Sequence, residues 1–112
     1  MGVDLDLMPV LSRGSWNCHE MLHCDRDRDL FAAIAALGES LVPEPIWCHR
    51  ALVGGEQGYG QLSTTPYNTP LTWLPAGKLA PAFIGYSGWR NRAVRAYLTQ
   101  VPEDWPVVLY WH

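Results

Sequence analysis

The pentapeptide His19-Glu20-Met21-Leu22-His23 carries the letters of the HExxH zinc signature. On a helix, histidines four apart face the same way and can hold a metal, while the glutamate beside the first polarises the attacking water. Cys18 and Cys24 flank the segment, and Cys48-His49 adds a thiol and an imidazole that folding can bring near. Thiolate and imidazole are the usual ligands of tetrahedral zinc. Other features oppose a protease. The segment is short and lies between turns, the longer metzincin continuation is missing, and no CxxC pair exists. A third ligand would have to come from Cys24, Asp25, His49 or His112. His19, His23 and His49 are therefore the candidate metal ligands and zinc the candidate ion. Metal or small-ligand binding centred on this segment is one expected function, with a metal-dependent hydrolase as its enzymatic form.

Other groupings are less specific. Cys18/His19 and Cys48/His49 contain a nucleophile and a base, but adjacent residues of a strand point to opposite faces and cannot pair directly. Cys48, within an apolar run, reads as a core thiol. Asp4 and Asp6 share one face of an alternating segment; they suit an acid–base couple or, more simply, a solvated face that protects a strand from aggregation. The glycine-rich stretch from Gly54 to Gly60 fits neither the dinucleotide fingerprint nor the P-loop and reads as a hairpin turn. Arg90, Arg92 and Arg95, with Trp89 and Tyr97 interleaved, form a basic and aromatic set suited to phosphates or to an acidic protein. No catalytic residue is assigned.

These residues need a scaffold. Val3–Leu7 alternates as a strand with one solvated face, and Pro9 ends it or confines it to an edge. Gly14-Ser15 is a turn, and Asn17 with Glu20 has capping-box spacing for a short helical turn through Met21-Leu22. Leu30, Phe31, Ile34 and Leu37 lie on one helical stripe that follows an acidic first turn and closes at Gly38. Pro43 and Pro45 mark a linker. Ile46–Val53 reads as a strand, turning through Gly54-Gly55 and Gly58 into Tyr59–Leu62 as a hairpin. Ser63–Pro75 reads as irregular, Lys78–Ile84 as a short helix around Pro81, and Trp89–Gln100 as a helix capped by Ser87 and buried through Val94, Tyr97, Leu98 and Val101. Pro106–Trp111 is a strand covered on both faces. The expectation is one α+β domain over residues 1–112, its sheet mixed or antiparallel, with two or three helices and the terminal strands paired.

Composition narrows the function classes. In 112 residues the chain has 8 basic and 11 acidic side chains, for a formal charge of −3, which argues against broad nucleic-acid binding. No apolar run reaches the ~20 residues of a membrane span, and no secretory leader is visible. Three cysteines are an odd number, suiting a reducing compartment, so the expected location is cytoplasmic. Six tryptophans are spread along the chain. Such rings serve as core filling or as interface anchors.

The opening Gly2-Val3-Asp4-Leu5-Asp6-Leu7, the Arg28-Asp29-Leu30-Phe31 helix start, the Gly58-Tyr59-Gly60 turn and the ending Asp104-Trp105-Pro106-Val107-Val108-Leu109-Tyr110-Trp111-His112 together resemble small uncharacterised proteins encoded by tailed bacteriophages and prophages. The resemblance implies an accessory protein of the host bacterial cytoplasm that binds and blocks host machinery, defence factors included. The leading expectation is thus a non-enzymatic protein with a protein partner, contacted through Tyr67, Trp73, Trp89, Arg90, Arg92 and Arg95. Tyr67, Trp73 and Trp89 are then expected to be partly exposed and to form one apolar patch. A homo-oligomeric virion or assembly component, pairing strand edges near Asp4 or Leu62, is a further alternative.

Overall fold

An apolar run without polar alternation is stable as a strand only if both faces are covered, and the run at residues 106–111 dictates the layering. In the computed structural model, which describes residues 3–12, 14–49, 58–85 and 88–112, this run is β8 (Pro106–Trp111) and its four central residues are buried. It pairs antiparallel with β1 (Leu5–Pro9), from Leu5 opposite Trp111 to Pro9 opposite Val107. The terminal strands are therefore joined, and backbone hydrogen bonds between Asp4 and His112 continue the ladder past Trp111.

The remaining strands are β2 (Asn17–Cys18), β3 (Leu22–His23), β4 (Ser40–Leu41), β5 (Ile46–His49), β6 (Tyr59–Leu62) and β7 (Thr72–Pro75). The larger sheet is antiparallel, in the order β3-β1-β8-β7-β4; the smaller is mixed, in the order β2-β5-β6, with β2 parallel to β5. Side chains alternate across the central strands. Leu5, Leu7, Val107 and Leu109 enter one core with the helices, while Met8, Val108 and Tyr110 enter a second core with Cys18, Ile46 and Cys48 of the small sheet. The result is helices, large sheet and small sheet in three layers, an α+β arrangement.

Helix α1 (Arg28–Ala35) starts where the Asp27 carboxylate accepts the Leu30 N–H at 3.0 Å. Gly38, at φ +80°, takes the left-handed conformation just past its end. Leu30, Phe31 and Ile34 are its buried stripe. The segment expected as a helix from Lys78 begins two residues earlier, as α2 (Ala76–Leu79), and continues as a 3-10 turn over Ala80–Phe83. Pro81 is accommodated at the start of that turn, where its missing N–H is not needed. Helix α3 (Trp89–Gln100) buries Asn91, Val94 and Leu98, with Tyr97 half-buried. The cap position belongs to Gly88; Ser87 lies outside the described residues, as do Gly2, the Gly54-Gly55 turn and the expected strand beyond His49. The hairpin itself is present, with Ile46 opposite Leu62 and His49 opposite Tyr59.

Three expectations are corrected. The stretch from Asn17 to His23 holds two short strands, β2 and β3, instead of a helical turn, because pairing with β5 and β1 takes extended backbone there. Ser63–Pro75 is not irregular throughout: β7 lies between β8 and β4, and it became legible only once β8 supplied its partner. The outward face of the first strand is not solvated, since Asp6 is only 5% exposed.

Candidate functional site

Asp6 is buried because it sits in the middle of β1, between β3 and β8, with His23 and Tyr110 opposite it. A carboxylate in that position requires donors. It has two: His23 Nδ1 lies 2.6 Å from one oxygen and His112 Nε2 lies 2.7 Å from the other. An ionised carboxylate only accepts, so both ring nitrogens must carry protons. In a neutral ring held this way the lone pair falls on Nε2 of His23 and on Nδ1 of His112. Both rings remain reachable, at 48% side-chain exposure for His23 and 31% for His112. Tyr110 packs beside His112 with ring centroids 5.3 Å apart. This is the geometry of an oriented imidazole base, present twice on one carboxylate.

Beside it, Arg26 grips Asp4 through two bonds of 3.1 and 3.0 Å, and the guanidinium holds the Asp4 carboxyl below its ordinary range. Tyr67, half exposed, is within electrostatic reach of Arg26.

The HExxH letters are distributed over this architecture. His23 goes to Asp6. His19 instead packs on the Tyr59 ring at 5.4 Å between centroids, where His49 joins it from β5 at 5.1 Å. Glu20 accepts the Tyr97 hydroxyl at 3.0 Å. Burial, aided by that bond and by the Glu20 charge, pushes the Tyr97 phenol up to about 12. Of the three histidines expected as metal ligands, the fold brings His19 and His49 to a shared tyrosine and takes His23 elsewhere. Among the described residues, no group of three or more His, Cys, Asp or Glu side chains is arranged to hold a metal ion.

Segment 19–23 lies against α3 and borders two shallow grooves. One, of about 290 Å³, includes His19, Glu20, Tyr97 and Trp105 among its walls. The other, of about 340 Å³, includes Met21, Leu22, His23, Arg90 and Val94.

None of the six tryptophans belongs to the buried core. Trp105 and Trp111 are half-buried, and their indole N–H groups donate to the Val10 carbonyl and the Glu39 carboxylate. Trp73 packs edge-on against Trp16 on the small-sheet side of the large sheet. Trp47 is 43% and Trp89 66% exposed. Trp89 opens α3 in the helical layer, so Trp73 and Trp89 lie on opposite sides of the large sheet and do not share a patch. Arg90 stacks on Trp89, its guanidinium 5.1 Å from the ring, and reaches Asp25 at 3.4 Å. Arg92 and Arg95 are exposed on the same helix.

Two contributors escaped sequence reasoning. Asp6 looked like one of two equivalent solvated aspartates, and only the pairing of β1 with β3 distinguishes it from Asp4. Asn91, 3% exposed, accepts the Asp25 N–H at 2.7 Å and donates to the Asp25 carbonyl at 3.2 Å, clamping the approach to α1 against α3. An asparagine within a helical stripe of apolar residues was its one signal.

Comparison with protein-family models, curated proteins and solved structures finds no match.

Proposed function

We propose that the chain works by binding a protein partner with an acidic surface through the outer face of α3, as an accessory protein of the phage type directed at a host factor. One observation carries this reading. Helix α3 begins Trp89-Arg90-Asn91-Arg92 and has no acidic residue along its length, although the protein as a whole is acidic. The N-terminal end of a helix is the positive end of its dipole, so arginines there work against helix stability by about 0.3–1 kcal/mol each. No side-chain hydrogen bond caps that end, and the Asp25 carboxylate beside it pairs with Arg90. An acidic partner would complement the positive end of the dipole and the exposed arginine face, with the exposed Trp89 ring supplying the apolar anchor that interface hot spots require.

The test is capture from a bacterial host lysate with the wild-type chain, Trp89→Ala, and the reversal Arg92→Glu/Arg95→Glu. The expected result is an acidic protein retained by the wild type, released by moderate salt and lost with both variants. Retention unaffected by either variant refutes the reading, and retention of nucleic acid in its place would move the function to that class.

A second reading rests on Asp6. A buried carboxylate that fixes His23 beside an apolar groove suits a small ligand carrying a hydrogen-bond donor for His23 Nε2. Its check is imidazole ¹⁵N NMR during titration with a small-molecule fragment set, in which a specific ligand shifts the His23 signals and His23→Gln abolishes its binding.

A further inference from the structure

The parallel pairing of β2 with β5 places Cys18 directly opposite Cys48. Residues opposed in register share a face, and both thiols point into the core between the sheets, at 0% and 1% exposure. Each is close enough that the charge of a Cys48 thiolate would oppose ionisation of Cys18. Neighbouring strands run about 4.7–4.9 Å apart, inside the roughly 4.4–6.8 Å range of Cα separations that disulfides bridge. The third cysteine is excluded from this pair: Cys24 lies in the other core, across the large sheet.

We propose that Cys18 and Cys48 form a reversible intrachain disulfide when the chain meets a disulfide oxidant such as oxidised glutathione. In the first step a Cys18 or Cys48 thiolate attacks the glutathione disulfide, forming a mixed disulfide and releasing one glutathione thiolate. The second cysteine then displaces the other glutathione. Two S–H bonds and one S–S bond are lost, and one S–S bond and two glutathione S–H bonds are formed; two electrons pass to glutathione, and the two protons end on its thiols. The bond forms and breaks by thiol–disulfide exchange, so a dithiol reductant reverses it. Its formation is slow, because Cys18 must first be uncovered by lifting the small sheet, and it closes a loop carrying His19, Glu20, His23 and α1. The bond therefore tethers the segment that borders both grooves. The inference is independent of the partner reading.

The experiment treats the full chain with oxidised glutathione in a sub-denaturing urea concentration, unfolds the product and alkylates it with N-ethylmaleimide, and measures intact mass and linked peptides. The expected product has lost two hydrogens, carries one alkyl group on Cys24, and yields a peptide joining Cys18 to Cys48. It also has a raised urea midpoint that returns to the starting value with dithiothreitol. Cys24→Ser should form the same Cys18–Cys48 linkage and take up no alkyl group, and this control stands even if replacing Cys18 or Cys48 impairs folding. Linkage through Cys24, linkage between chains, or three surviving thiols under conditions that oxidise the urea-unfolded chain would each overturn the proposal.

Discussion

Replacing Asp6 by asparagine keeps the size of the side chain and removes its charge, which makes it the sharpest probe of the histidine–carboxylate cluster. The wild-type carboxylate, 5% exposed, accepts from both imidazoles. Charge-assisted bonds of this kind contribute about 1.5–3 kcal/mol each, and neutral ones about 0.5–1.5 kcal/mol. Asparagine has one acceptor and one donor end, so it holds one histidine as before and forces the other to present a lone pair. Two weakened bonds would amount to about 2–3 kcal/mol. Because the rings are 48% and 31% exposed and can turn to water, the lower end, about 2 kcal/mol, is expected. For a domain of this size that is a fall in Tm of about 10 °C. Urea and thermal melts at neutral pH measure the loss, and imidazole ¹⁵N shifts report the tautomers. A variant within about 0.5 kcal/mol of wild type, with both tautomers unchanged, would show that Asp6 does not organise the two rings.

Three further outcomes are expected. Burial pushes the Cys18 and Cys24 thiols from 9.0 up to about 12, and the Tyr97 phenol from 10.0 to about 12. The unfolded chain therefore gives up these protons first, and stability falls as pH rises from 9 toward 12, by up to about 1.4 kcal/mol per pH unit for each buried thiol; urea midpoints at pH 8 and 10 should differ accordingly, and equal midpoints would contradict the burial of the thiols. Gly77→Ala introduces a Cβ 2.8 Å from the Glu103 Cβ and 3.1 Å from its carbonyl oxygen, against a backbone fixed by the Gly77 N–H bond to that same carbonyl. A loss of about 1–3 kcal/mol in a urea melt is expected despite alanine's better helix propensity, and a gain would mean that the Glu103 loop yields freely. Asp27→Ala should cost about 1 kcal/mol and loosen the Leu30 amide in hydrogen exchange, because the carboxylate is the only side-chain cap on α1.

The sequence was informative where a period or a run stated which faces are buried. The Leu30, Phe31, Ile34 stripe with Asp27 ahead and Gly38 behind placed α1, and the unbroken run at residues 106–111 declared a strand covered on both sides. It was misleading where burial depends on a distant partner. Asp4 and Asp6 alternate identically with leucine, yet one meets a surface arginine and the other a pair of imidazoles, a difference created by β3 and β8. The HExxH letters failed for a related reason. Their chemistry presumes a helix, and pairing of the flanking residues with β5 and β1 takes extended backbone instead. Among the residues expected to meet a partner, Trp89 is exposed at the start of α3, whereas Trp73 is half-buried against Trp16.

The pairing of β1 with β8 also governs how the molecule can fold. Leu5, Leu7 and Met8 are wholly enclosed only when the residues opposite them, from Trp111 back to Val108, have arrived. Until β8 pairs with β1, the central ladder stays open, with an apolar strand at its edge. Closure has to join strands far apart in sequence, which places folding among the slower, non-local topologies and leaves these apolar strands exposed to aggregation or chaperone capture until it is complete.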